Sequence, residues 1–163
     1  MAVLSIRKHG DPVLREKAAT VRQVNQEIKD LVKNMKDTMY EAPGAGLAAN
    51  QVGVLKRVIV YDIGEGLQAL VNPEVVWASE DCAEDEEGCL SFYEVKVLVN
   101  RPAQVRVRAR TLDDEDIEFS ADDLEARVLQ HEIDHLNGIV ILDRTSRDEQ
   151  RKALKLIREL TTI

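Results

Sequence analysis

Apolar residues recur every third or fourth position in three long stretches and every second position in several short ones, and this division sets the expected elements. In NQEIKDLVKNMKDTMYEAPG, Ile28, Leu31, Val32, Met35 and Met39 fall on one helical face, with Asn25 as N-cap and Pro43 and Gly44 beyond the end. SADDLEARVLQHEIDHLNG repeats Leu124, Val128, His131 and His135 at i, i+4, i+7 and i+11, beside a second stripe of Leu129, Ile133 and Leu136. Ser120-x-x-Asp123 reads as the capping box of this helix and Gly138 as its stop. SRDEQRKALKLIREL starts with Ser146-x-x-Glu149 and repeats Ala153, Leu154, Ile157 and Leu160, a closing amphipathic helix. VLKRVIVYDI, QALVNPEVVWA, VKVLV, QVRVRART and DIEFS are β-rich, and GEG, NRP and LDDED between them are turn signals, so strands of antiparallel or mixed sheet are expected.

The length of 163 residues suits one domain, and residues 1–163 are expected to form a single catalytic unit without repeat or linker. A net charge of −8, with acids crowded in SEDCAEDEE, is the wrong sign for a generic nucleic-acid binder, and the acid run reads as a solvated loop. No apolar run approaches a membrane span and the first residues lack a secretory pattern, so the expected setting is cytoplasmic, with no membrane partner. In that reducing compartment Cys82 and Cys89 are thiols, available as metal ligand or nucleophile.

His131, Glu132 and His135 spell H-E-x-x-H on a helix that its apolar stripes bury on most sides, where unpaired imidazoles and a carboxylate are costly. A metal held by both imidazoles removes that cost, and Glu132 beside them is placed to act as a base on water. Two imidazoles need a third ligand. The longer H-E-x-x-H-x-x-G-x-x-H pattern fails at Ile141, Glu149 and Glu159 belong to the closing helix, and His9 reads as a surface residue. Cys89 remains, in EEGCLS, where Gly88 allows close approach of the backbone. A His2Cys set leaves one position open for chemistry and accepts iron, zinc, nickel or cobalt.

GAGLAANQ at Gly44–Gln51, EGCLS at Glu87–Ser91 and QHEIDH at Gln130–His135 together resemble, in family order, the three motifs of peptide deformylases, and GDPVLREKA and the closing helix are similar too. The resemblance implies an α+β fold, with small antiparallel or mixed β-sheets around a central H-E-x-x-H helix and a C-terminal amphipathic helix. It implies removal of the N-formyl group from formyl-methionyl nascent peptides with release of formate. The metal ligands fall on Cys89, His131 and His135 and the general base on Glu132, with Fe2+ as the expected ion and Zn2+, Ni2+ or Co2+ as substitutes. Gln51 and the backbone N–H of Leu90 become donors to the developing oxyanion.

The resemblance also implies an apolar pocket for the methionine side chain, lined here by Ala45, Leu90, Leu124 and Val128. Gly44, Gly46 and Gly88 let the backbone approach the substrate, and Arg127 stands at the rim. Asp134 and Gln130 are expected partners for the ligating imidazoles. For the basic closing segment, with Arg144, Arg147, Arg151, Lys152, Lys155 and Arg158, the resemblance implies docking on the ribosome, whereas the acids interspersed among these cations favour a solvated helix face. Tyr93, Lys96 and Ala45 depart from common family forms, which bears on peptide contacts rather than on the catalytic set. Two other readings are a metallopeptidase and a metal-stabilised module that captures formylated N-termini.

Overall fold

The computed structural model describes residues 2–93 and 95–162. Helix α1 (Gln26–Glu41) starts where the Asn25 side chain accepts from Ile28 N at 3.1 Å, and it buries Ile28, Val32, Met35 and Met39 as its spacing predicts. Strands β1 (Gly46–Ala48), β2 (Val58–Tyr61) and β3 (Gln68–Ala78) follow, then a hairpin of β4 (Cys82–Glu87) and β5 (Val97–Pro102). The chain continues through β6 (Gln104–Arg110), β7 (Asp116–Asp122), α2 (Asp123–Leu136) and α3 (Arg147–Thr161). β1, β2, β3, β6 and β7 form one antiparallel sheet in the order β1-β2-β3-β6-β7, and β4 pairs with β5 in a second.

The four residues of β2 are all buried because α1 covers one face of the large sheet and α2 the other. Val58 and Val60 pack with Met35 and Met39 of α1, whereas Ile59 and Tyr61 pack with Leu129 and Ile133 of α2. This period-2 division places the metal-motif helix against the sheet over most of its length. A third cluster joins Val97 and Val99 of the hairpin to Ile141 and Leu142 and to Ala153 and Ile157 of α3. Leu160 stays outside it at 59% exposed, although its spacing matches the buried positions of α3.

Three expectations are corrected here. The acid run is a strand rather than a solvated loop: Cys82–Glu87 pairs residue by residue with Val97–Pro102, and Glu87 is buried. Ser120 does not cap α2, because it lies in β7 opposite Arg106, whose Nη1 donates to its hydroxyl at 3.0 Å; the helix starts three residues later. Leu124, at that start, is 55% exposed and leaves the face on which Val128, His131 and His135 are buried.

At the other end of α2, Gly138 has φ +75, and a Cβ there would lie 2.6 Å from Arg15 O, so glycine is required both for the left-handed turn and for space.

Candidate active site

Spacing of i and i+4 on α2 brings the imidazoles of His131 and His135 to one side of the helix, with ring centroids 5.1 Å apart. The segment after β4 supplies the remaining donor: Cys89 has an extended backbone ahead of a short 3-10 turn, Leu90–Phe92, which aims its sulfur at α2. Cys89 Sγ lies 3.3 Å from His135 Nε2, and the ligand atoms of Cys89, His131 and His135 all fall within 4.8 Å of one another. All three residues are buried.

Without an ion these groups make competing demands. Burial keeps the His135 pKa below the usual imidazole range, helped by His131, and its Nδ1 has no partner among the described residues. Burial also opposes a charge on His131, but Glu132, Cys89 and Glu87 around it outweigh that and raise its pKa. Burial pushes Glu132 up to about 7, and its Oε1 is unpaired as well. A divalent cation between one thiolate and two imidazoles resolves these demands, since it takes the place of the proton on His131 and attracts both the sulfur and the Glu132 carboxylate. The donor set therefore fits such an ion, and its soft sulfur and borderline nitrogens suit a first-row transition metal.

His131 Nδ1 is held by Glu87 Oε1 at 2.9 Å. Glu87 in turn receives Arg101 Nε at 2.6 Å and Nη2 at 3.0 Å, and Arg127 Nη1 at 2.6 Å. Burial alone would raise the Glu87 pKa, but the bonds from His131 and Arg101 prevail and lower it to about 2, so the carboxylate stays ionised to accept from the ring. The expected partners, Asp134 and Gln130, do not fill this role. Asp134 binds Arg101 and Arg144, and Gln130 Nε2 donates to Pro102 O and Ala126 O. Their side chains leave α2 on the face away from the imidazoles, whereas the hairpin brings Glu87 to it.

Gln51 is buried and oriented by its own turn: Oε1 accepts from Ala48 N at 3.0 Å, which directs Nε2 to Ser91 Oγ at 3.1 Å and Cys89 Sγ at 3.5 Å. The N-terminal segment braces both sides of this arrangement. Arg7 N donates to Gln51 O and His9 N to Ser91 O, while Lys8 Nζ donates to Leu90 O at 2.7 Å. Among the described residues His9 is not part of the Cys89, His131 and His135 cluster; its ring packs on Phe92.

A cleft of about 790 Å³ opens onto the sulfur, His131 and Glu132. Gly44, Ala45 and Gly46 form one wall, Gly88 and Leu90 another, and Leu124, Arg127 and Val128 the helical side. Leu124 contributes the outer edge rather than a buried pocket floor. GAGLAANQ is more ordered than a tight loop, since Gly46–Ala48 pairs with β2 before the 3-10 turn that carries Gln51. Arg127 bridges the hairpin through Ala83 O, Val99 O and Glu87, so its rim position is fixed.

A family model described as polypeptide deformylase matches residues 3–151. The chain belongs to the polypeptide deformylase family. It is 48% identical over 145 residues to a peptide deformylase of Natranaerobius thermophilus, covering 88% of this chain and 93% of that protein. A peptide deformylase 1 of Clostridium acetobutylicum is 46% identical over 149 residues, 91% of this chain and 99% of the relative. Solved deformylase structures agree: that of Thermotoga maritima has a TM-score of 0.88 at 41% identity, covering 90% of this chain and 99% of its own. That of Ehrlichia chaffeensis, in complex with actinonin, has a TM-score of 0.94 at 34% identity over 100% of both chains. Membership makes the chain a metal-dependent hydrolase.

Glu87 and Arg101 escaped the sequence reading as a functional pair. One signal for Arg101 was present, because β5 alternates and Val97, Val99 and Arg101 share its buried face. A cation at a buried alternating position calls for a buried anion.

Proposed function

We propose that the chain removes the formyl group from formyl-methionyl nascent peptides in the cytoplasm, working as one catalytic domain, with Cys89, His131 and His135 holding the metal. The convergence of these three ligands beside the unpaired carboxylate of Glu132, in a cleft, is the observation that carries this reading. When bound, the ion supplies Lewis-acid polarisation of the formyl oxygen and makes water more acidic. Fe2+ is the ion proposed for the cell, with Zn2+, Ni2+ or Co2+ able to occupy the same donors.

Glu132 takes a proton from the attacking water and delivers it to the departing amine nitrogen, which a carboxyl group poised near neutrality does in both directions. Gln51 Nε2 and the Leu90 N–H donate to the oxygen as negative charge grows on it, a contribution of about 3–4 kcal/mol for one such donor. Ala45, Leu90 and Val128 offer the apolar surface for the methionine side chain, and Leu124 covers it from outside. Glu132 as a base beside an open ligand position favours catalysis over a binding module, and Cys89 as third ligand argues against a metallopeptidase. Formate release from formyl-Met-Ala-Ser by the metal-loaded protein tests the proposal; formyl-peptide binding without release would favour the module, and cleavage of unformylated casein the peptidase.

Gly46 has a defined part in this chemistry. A Cβ at that position would lie 2.6 Å from Glu132 Oε2 and 3.0 Å from its Cδ. Gly46→Ala is expected to move the carboxylate and lower turnover on the order of a hundredfold. The value of kcat/KM on a formylated tripeptide measures this, and a wild-type rate would show that Glu132 tolerates displacement.

The proposed ribosome contact uses α3, which presents Arg147, Arg151, Lys152, Lys155 and Arg158 and exposes Leu156 and Leu160. Truncation before Arg147 is expected to weaken co-sedimentation with ribosomes while small-peptide turnover continues. Unchanged sedimentation would remove α3 from the contact.

A further inference from the structure

A second cavity, of about 480 Å³, lies against α2 on the face that carries Gln130, Ile133 and Asp134, opposite the imidazoles. Arginines reach it from three separate segments: Arg57 before β2, Arg101 in β5 and Arg144 after α2. Asp134 receives Arg101 Nη1 at 2.9 Å and is bidentate to Arg144 at 3.0 and 3.1 Å, while Glu87 holds the other edge of Arg101. Glu74 at the rim is engaged by Arg108 at 2.6 Å.

Arg57 differs from the other two. Among the described residues it has no carboxylate in ion-pair contact; Nη1 donates to Leu136 O at 3.1 Å and Nη2 to Asn137 Oδ1 at 2.9 Å. The cavity wall thus carries three guanidiniums, Arg57, Arg101 and Arg144, against two carboxylates, Glu74 and Asp134, a positive surplus in a chain of net charge −8. Donors around that surplus are open to solvent and to an incoming group. The Asn100 side chain, Asn137 Nδ2 and Arg144 Nη1 have no protein hydrogen-bond partner among the described residues, and all three residues line the cavity.

The carbonyls that cap Arg57 supply no countercharge, which Glu74 gives only from a distance, and the Asn100 and Asn137 Nδ2 groups add donors beside it. We propose that this cavity is a binding site for a small oxyanion, a phosphate- or carboxylate-bearing molecule, with Arg57 as its countercharge and Asn100, Asn137 and Arg144 as hydrogen-bond donors. Its size is at the lower end for ligand sites, which suits a small molecule rather than a peptide. The site is separate from the cleft: it shares no lining residue with it, and α2 stands between them.

The test is a titration of zinc-loaded, isotope-labelled protein with inorganic phosphate and, separately, with acetate. The Asn100 and Asn137 side-chain amides and the Arg57 Nε–H resonance are followed. Saturable shifts at these groups are expected, and the anion that saturates first identifies the class. Asn100→Asp keeps the shape, adds a like charge and should weaken binding by at least about tenfold; Arg57→Gln should abolish it. Asn100→Asp carries the test even if Arg57→Gln does not fold. Shifts that rise without saturation and are equal in Asn100→Asp would overturn the proposal. So would shifts confined to the amides around Cys89 and Leu90, which would place the anion at the metal instead.

Discussion

Glu132→Gln is expected to lower formyl-peptide turnover by about 10²–10⁴-fold, the range that a positioned general base contributes. Glutamine has the shape of the carboxylate and reaches the same cleft, but it cannot take a proton from water. The proposed ligands Cys89, His131 and His135 are untouched, so the variant should keep its metal. Formate release and metal content measured together decide the matter: wild-type turnover in a metal-loaded variant would remove Glu132 from the proposed proton transfers.

The same substitution has a thermodynamic signature in the metal-free protein. Burial raises the Glu132 pKa from 4.5 to about 7; the attraction of His131 does not offset it. A raised pKa means that the folded state holds the proton more tightly than the unfolded state. Its contribution to stability is therefore complete below 4.5 and is lost as pH climbs through about 7. Between about pH 5 and about pH 8, metal-free wild type should lose stability relative to Glu132→Gln, on the order of 3 kcal/mol. Urea denaturation of both proteins at the two pH values measures the difference. Parallel pH dependence would mean that water reaches the carboxylate.

Glu87→Leu is the second large effect expected, this time on stability and metal retention. Glu87 is the common acceptor for His131, Arg101 and Arg127, with all four side chains largely buried. Removing it leaves two guanidiniums short of an anion in the interior, where breaking such a pair costs about 3–5 kcal/mol. It also leaves His131 Nδ1 without the acceptor that fixes its tautomer and leaves Nε2 free for the proposed metal. Loss of such a partner typically weakens metal binding by about 10–100-fold. Denaturant unfolding gives the first quantity and competition with a chromogenic chelator the second. Destabilisation with metal affinity intact would make Glu87 a fold residue only.

The cluster of Cys89, His131, His135 and Glu132 was legible in the sequence because local geometry determines most of it. A helix brings residues four apart to one side whatever surrounds it, so His131 and His135 had to converge and Glu132 had to adjoin them. Cys89 was reached by elimination, and the three motifs in family order then agreed with that choice. The faces of α1 and the buried stripes of α2 followed from the same 3.6-residue period, as did the two faces of the sheet strands from a period of two.

What the tertiary structure decided involves partners distant in sequence. Local charge does not distinguish Glu87 from its neighbours in the acid run, although it alone opens the EGCLS motif. It becomes the buried acceptor because the β4–β5 hairpin packs beside α2, where the side chain of Arg101, itself paired with Ala83 across the hairpin, reaches the Glu87 carboxylate and His131 meets it from the helix. Ser120 has the local pattern of a cap, yet cross-strand pairing with Arg106 holds it in β7. Leu124 and Leu160 have core spacing but lie at helix ends that extend past the layers that would cover them. Periodicity tells which side of an element a residue occupies; only the packing of other elements tells whether that side is covered, and by which charge.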